Sequence, residues 1–298
     1  MTGAMMDFSR RAMMLGGLSA GLTGLPALGG TIPKRGGSIR VATQSVSTAD
    51  TLDPAKGALS TDYVRHYMLY SGLTKIGPDL IPRPSLAERI ESADRTTWHI
   101  ALRRGVHFHG GGELTSADIV FSLLRHKDPK LGSKMASIAG QFLDVRADGR
   151  YGVTIRLSGP NADLPAMLAQ SHFLIVRHGV DRPDGNGTGP FRLAEFKPGI
   201  RTVVVRNPDY WVPGKPYLDR IELIAIPDEV SRLNALLAGD VQLVNAVAPH
   251  STRRVERVGG GDRLRGHPDR SAALGNCPAQ RRQAGQPGAQ SAEHHGAA

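Results

Sequence analysis

Two histidines one residue apart, His107 and His109, form the pair whose spacing most invites chemistry. On an extended segment residues two apart share a face, so both imidazoles could reach one ion. A catalytic zinc takes three protein ligands, and no third is at hand: Glu113 lies across a Gly-rich turn and His99 on another strand. The pair reads better as polar residues flanking a turn. Gly17-Leu18-Ser19-Ala20-Gly21 matches G-x-S-x-G, the elbow that presents a nucleophilic serine between a strand and a helix. It lies inside an apolar N-terminal run with no strand ahead of it, so it carries no catalytic reading. Gly185-Asn186-Gly187-Thr188-Gly189-Pro190 fails G-x-G-x-x-G at its last position and leads into a strand. Phosphate binding at a helix N-terminus is therefore unsupported. The turn is expected to supply positive-φ positions where two segments cross. No Ser/His/Asp set and no carboxylate pair stands out, and no cofactor is implied.

Charge narrows the partners. The formal net charge is +10, from 37 basic and 27 acidic residues. From Ser251 onward there are eight Arg, no Lys and four acidic residues; the other basic groups are spread through many turns and helices. No basic helix is interleaved with aromatics, so nucleic-acid binding is not expected. The single cysteine, Cys277, excludes a disulfide framework and a Cys-rich metal site within one chain.

Asp7-Phe8-Ser9-Arg10-Arg11 precedes a Gly-rich apolar run from Met13 to Leu28, with small residues around Ala27 to Gly30. A positive segment, a short apolar segment and small residues describe an export signal over residues 1–31. Ser9-Arg10-Arg11 resembles a twin-arginine signal, which passes folded cargo to its own translocation machinery. No cysteine follows for lipid attachment, so a soluble periplasmic product is expected.

The rest of the chain must position whatever site exists. Period-two alternation predicts strands at Ile39–Ala42, Trp98–Leu102, Tyr151–Leu157, Thr202–Arg206 and Ile221–Ile226, and a further strand at Val241–Val247. Phe173-Leu174-Ile175-Val176 reads as a buried strand. Asp62 to Tyr70 predicts a helix with Tyr63, Tyr67 and Tyr70 on its core face. Thr115-Ser116-Ala117-Asp118 is close to a capping box ahead of Ile119, Val120, Leu123 and Leu124. Asp163 to Ala169 suggests a short helix. Asp228 caps a helix with Val230, Leu233, Leu236 and Leu237 as its apolar positions, and Gly239 ends it. Strands and helices mix without a strict βα repeat, giving an α/β or α+β class.

Several segments, in order, resemble one family. Gly36-Gly37-Ser38-Ile39-Arg40-Val41 with Leu52-Asp53-Pro54, Tyr70-Ser71-Gly72-Leu73-Thr74 and Pro84-Ser85-Leu86-Ala87-Glu88 are similar to its early blocks. Trp98 to Phe121, Gly187-Thr188-Gly189-Pro190-Phe191, Arg206-Asn207-Pro208-Asp209-Tyr210-Trp211 and Pro216-Tyr217-Leu218-Asp219 are similar to later ones. The family is the extracytoplasmic solute-binding proteins, family 5, of the dipeptide, oligopeptide and nickel-binding type. Arg89-Ile90, Gly110 and Gln242 stand where its pattern has a tryptophan, an acidic residue and an aspartate.

The resemblance implies a mixed α/β fold of the type II periplasmic-binding-protein kind, with the first lobe and its inserted subdomain present and the second lobe missing. Residues 32–60 would open the first lobe, 61–185 form the inserted subdomain, and 186–250 return to the lobe. Residues 251–298 lose pattern and read as a disordered or out-of-frame tail. By position, Thr43 and Gln44 after the first strand, His172, and Thr188 in the Gly-rich turn would face the solute. The implied function is periplasmic capture of peptides or similar solutes by a monomer that serves ABC-transporter permease subunits, impaired by truncation. A secreted hydrolase or metal-dependent enzyme, and an interaction protein using the basic tail, are the competing readings.

Overall fold

The computed structural model describes residues 34–248 and 251. The expected export signal, and nearly all of the segment from 251 onward, lie outside them. Among the described residues no helix is long and apolar enough to cross a membrane.

The strands are β1 (Ser38–Thr43), β2 (Thr74–Ile76), β3 (Pro82–Pro84), β4 (Ala87–Glu91), β5 (Thr97–Leu102), β6 (Phe142–Ala147), β7 (Gly152–Leu157), β8 (Phe191–Lys197), β9 (Arg201–Arg206), β10 (Arg220–Ala225) and β11 (Leu243–Val244). The α-helices are α1 (Ser60–Leu69), α2 (Ser116–Leu124), α3 (Ala136–Ala139), α4 (Leu164–Met167) and α5 (Glu229–Ala238). A five-stranded sheet has the order β11-β1-β10-β9-β8, a four-stranded sheet the order β4-β5-β7-β6, and β2 pairs with β3. In the larger sheet β1 runs parallel to both β10 and β11, while β9 is antiparallel to β10 and β8. The four-stranded sheet is antiparallel throughout.

Each sheet builds its own core. Val41, Met68, Leu69, Tyr70, Leu174, Val176, Phe191, Val204 and Leu223 pack on the five-stranded sheet. Leu73, Trp98, Ile100, Phe108, Ile119, Leu123, Phe142, Ile155 and Ile175 belong to the core of the four-stranded sheet. Helix α1 therefore buries its last turn in the five-stranded layer. The cores divide at Leu73 and Ile175.

Local chemistry explains the helices. At the start of α2 one Asp118 oxygen accepts from the Thr115 amide at 2.8 Å and from its hydroxyl at 2.9 Å, and the second accepts from the His178 amide at 2.9 Å. Asp228 accepts from the Ser231 amide at 2.7 Å to start α5, and Gly239, at φ 81°, ends it. The tyrosine stripe on α1 is not uniformly buried: Tyr70 is enclosed, whereas Tyr67 is half-exposed and donates its hydroxyl proton to Ala169 O. Phe173–Val176 is buried as expected but joins no sheet. Its amides are satisfied individually, Ile175 N–H by Ser71 O and Val176 N–H by Ser122 Oγ, both at 3.0 Å. The strand expected over Val241–Val247 shrinks to Leu243–Val244.

Candidate functional site

Because β1, β10 and β11 are parallel, their carboxyl ends emerge on one edge of the sheet. Ligands of open α/β sheets lie in the crevice outside such carboxyl ends. Here the edge is stitched together by the chain leaving each strand. Ile226 N–H donates to Thr43 O at 2.9 Å and Asn245 N–H to Ala42 O at 3.2 Å. Gln44 N–H donates to Asn245 Oδ1 at 2.9 Å.

Arg232, on α5, lies beneath this crest and is 1% exposed. Its Nη1 donates to Ile226 O at 2.9 Å and Pro227 O at 2.6 Å. Its Nη2 donates to Ala246 O at 3.1 Å and Gln44 Oε1 at 3.4 Å. One guanidinium thus joins the exits of all three parallel strands, and Ala246 adopts φ 50° where the chain turns over it. The sequence pattern put Val230 on the apolar face of α5; in the fold Val230 is 55% exposed, and Arg232 and Leu233 are the buried residues.

Of the four residues marked for solute contact, Gln44 alone is exposed on the crest. Thr43 is 4% exposed, and its hydroxyl donates into the sheet to Ile224 O at 3.4 Å. His172 is 7% exposed, with Nε2 3.0 Å from Gly57 O and its ring edge-on to Tyr63 at 5.4 Å. Thr188 is fully enclosed, and its carbonyl accepts from Ser71 Oγ at 3.2 Å. Thr43, His172 and Thr188 are thus buried in this conformation, and the last two sit away from the crest, where the two cores meet.

The Gly-rich turn belongs to that junction. His109 Nε2 lies 3.0 Å from Gly189 O, and Gly187 N–H donates to His109 Nδ1 at 3.3 Å. His109 N–H in turn donates to Gly187 O at 2.9 Å. On the other side Gly185 N–H donates to Tyr70 Oη at 2.9 Å, and Asn207 Nδ2 to Gly189 O at 3.1 Å. Positive φ is used at Gly185 but not at Gly187 or Gly189. A Cβ at either of those two would collide with the backbone of Leu69, so close approach rather than turn geometry demands glycine there. His109 is thus a clamp, and burial lowers its pKa. His107 Nδ1 rests 3.0 Å from Gly105 O. Among the described residues no group of three or more His, Cys, Asp and Glu is arranged to hold a metal ion.

The family model of bacterial extracellular solute-binding proteins, family 5, matches residues 82–275. The chain belongs to this family. The match runs past residue 250, into the segment that composition had set apart. Among curated relatives of the chain, the oligopeptide-binding protein AppA of Bacillus subtilis is 30% identical over 232 residues, covering 72% of the chain and 42% of AppA. The periplasmic oligopeptide-binding protein OppA of Salmonella typhimurium is 26% identical over 225 residues, 66% of the chain and 41% of OppA. The chain therefore spans about two fifths of the length of these relatives. Among solved structures, AgaA from A. tumefaciens R10, in complex with agropinic acid, superposes with a TM-score of 0.69 at 28% identity, covering 74% of the chain and 46% of AgaA. AppA in complex with a nonapeptide also gives 0.69, at 26% identity, with 76% and 47% covered. The fold is the mixed α/β fold of type II periplasmic binding proteins, as the motif order implied.

Proposed function

We propose that this chain is the solute-capturing component of an ABC transporter, holding peptides or similar small solutes by binding alone and passing them to permease subunits. The observation that carries the reading is the polar crest at the carboxyl ends of β1, β10 and β11, on a fold shared with relatives named for oligopeptide binding. Solutes in sites of this kind are trapped when two walls close about a hinge. The described residues supply one wall. In this reading the protein works in the periplasm as a monomer, and Ser9-Arg10-Arg11 sends it there through the twin-arginine machinery.

The test is a titration of the isotope-labelled full chain with tri- to nonapeptides, followed residue by residue by NMR. Saturable shifts are expected around Gln44, Ile226 and Asn245. Shifts absent across the whole series, or cleavage of the peptides, would sink the reading.

A further inference from the structure

Three arginines with enclosed guanidinium groups hold this fold together, and their charges are treated differently. Arg65 Nη1 meets Asp62 Oδ1 at 2.6 Å and its Nη2 meets Asp50 Oδ2 at 3.2 Å, with Thr202 Oγ1 on Nε at 2.8 Å. Arg125 makes a two-pronged pair with Asp53, at 2.9 and 2.7 Å. Arg232 is as deeply buried as Arg65 but meets four uncharged oxygens, and no carboxylate among the described residues pairs with it. The nearby Asp228 is exposed and occupied in capping α5. A guanidinium does not shed its proton, so the positive charge stays in place among carbonyl and carboxamide oxygens, and the Asp228 carboxylate feels it through space without pairing with it.

The groups between that charge and solvent have a fixed orientation. A guanidinium and a backbone N–H can only donate. The Gln44 oxygen must therefore face Arg232 Nη2, and the Asn245 oxygen must face the Gln44 amide. Both carboxamides consequently turn their NH2 groups away from these bonds, and neither NH2 has a hydrogen-bond partner among the described residues. Gln44 is exposed and Asn245 half-buried, adjacent on the crest. A carboxamide whose oxygen binds a cation is polarised, which strengthens its N–H groups as donors.

We propose that Gln44 and Asn245 form a donor pair for a carboxylate of the solute, with Arg232 as the fixed positive charge behind it. This rests on the solute-binding reading and narrows it: the ligands are carboxylate-bearing, and this wall takes their acidic group. The bound carboxylate sits on the solvent side of that charge.

The experiment follows the side-chain NH2 resonances of Gln44 and Asn245 in the full chain at constant ionic strength. The probes are sodium acetate, tri-alanine and tri-alanine amide. Acetate and tri-alanine are expected to move both resonances, and the amide to bind about tenfold more weakly, as expected when a hydrogen bond to a charged group is lost. Gln44→Glu and Asn245→Asp keep the inward-facing oxygens but replace the donors. Each is expected to weaken acetate binding tenfold or more, while Gln44→Glu leaves Tm unchanged or raised because it gives Arg232 a partner. The proposal is overturned if acetate leaves both NH2 groups unmoved, if Gln44→Glu binds acetate as the parent does, or if Gln44→Glu lowers Tm. Equal binding of tri-alanine and its amide with the pair unmoved overturns the donor pair and leaves solute binding standing. A response of the pair to acetate, with none to any peptide, upholds the pair and removes peptides from the proposed function.

Discussion

Buried histidines set how this protein responds to acid. His66 and His126 are both enclosed, and burial pulls each imidazole from its ordinary value down to about 4; at His126 the Arg125 charge adds to the effect. The folded chain keeps both rings neutral where an unfolded chain would protonate them. Their folded pKa lies below the unfolded one, so the full contribution to stability is present above about pH 6.5 and is lost as pH falls toward 4. Each group removes on the order of 1.4 kcal/mol per pH unit inside that window. Urea denaturation at pH steps from 7 to 4 is expected to show this slope, and His126→Gln to flatten it. An unchanged slope in the variant would mean that other groups carry the acid response. Arg65 provides a second check at the same scale. Arg65→Met strands Asp50 and Asp62 in the interior and is expected to lower stability by about 3–5 kcal/mol, whereas Asp50→Asn, which leaves Asp62 in place, is expected to lower it less.

At the scale of elements, the sequence pattern was readable where one periodicity ran uninterrupted. β1, β5, β7, α2 and α5 carry clean alternation or clear caps, and all were expected. β6 was missed because a bulge between Phe142 and Asp144 shifts its register, so the apolar residues do not alternate as they must for the strand to be seen. β8 was missed for a related reason, a shift between Leu193 and Glu195 in a strand at the sheet edge. Phe173–Val176 misled in the opposite sense, since a continuous apolar run reports burial but not ladder pairing. The position of Gln44 directly after β1 was legible from the strand pattern. Arg232 was not, because a charged residue between apolar helix positions reads as solvated until the turn above it is seen to bring carbonyls down onto it. The Gly-rich turn shows the same limit: its glycines were legible, but not that Leu69 is what requires them. Gly187→Ala and Gly189→Ala are each expected to destabilise by about 3 kcal/mol, the upper range for overpacking, because the obstructing atoms are backbone. Gly185→Ala meets side-chain atoms of Leu193 and Leu69 instead, and there the φ of 95° is the main obstacle. A chemical-denaturation series over the three variants separates the two causes, and a Gly187→Ala variant as stable as the parent would remove the close-approach account.

For the whole molecule the question is whether two cores behave as two bodies. The division at Leu73 and Ile175 would allow the four-stranded unit to unfold alone if only those crossing segments joined it to the larger sheet. The contacts across the boundary point the other way. Arg125 on the α2 side holds Asp53 of the opening segment, Ser122 exchanges two hydrogen bonds with Val176, and His109 clamps the turn that Tyr70 and Asn207 hold from below. The described residues from Arg35 to Ala248 also belong to one compact unit. Each of these links buries a polar or charged group whose partner lies on the other core, so opening the boundary strands both partners at once, at about 1–3 kcal/mol per buried group left unpaired. We therefore expect a single cooperative transition in which hydrogen-exchange protection of β1 and β10 is lost at the same denaturant concentration as that of β5 and β7. Arg125→Met removes the strongest link while leaving both cores apolar, so it is the variant in which the two midpoints should begin to part. Separate midpoints already in the parent chain would show that the four-stranded unit stands on its own core, and that the buried links orient it without coupling its stability to the sheet that carries the crest.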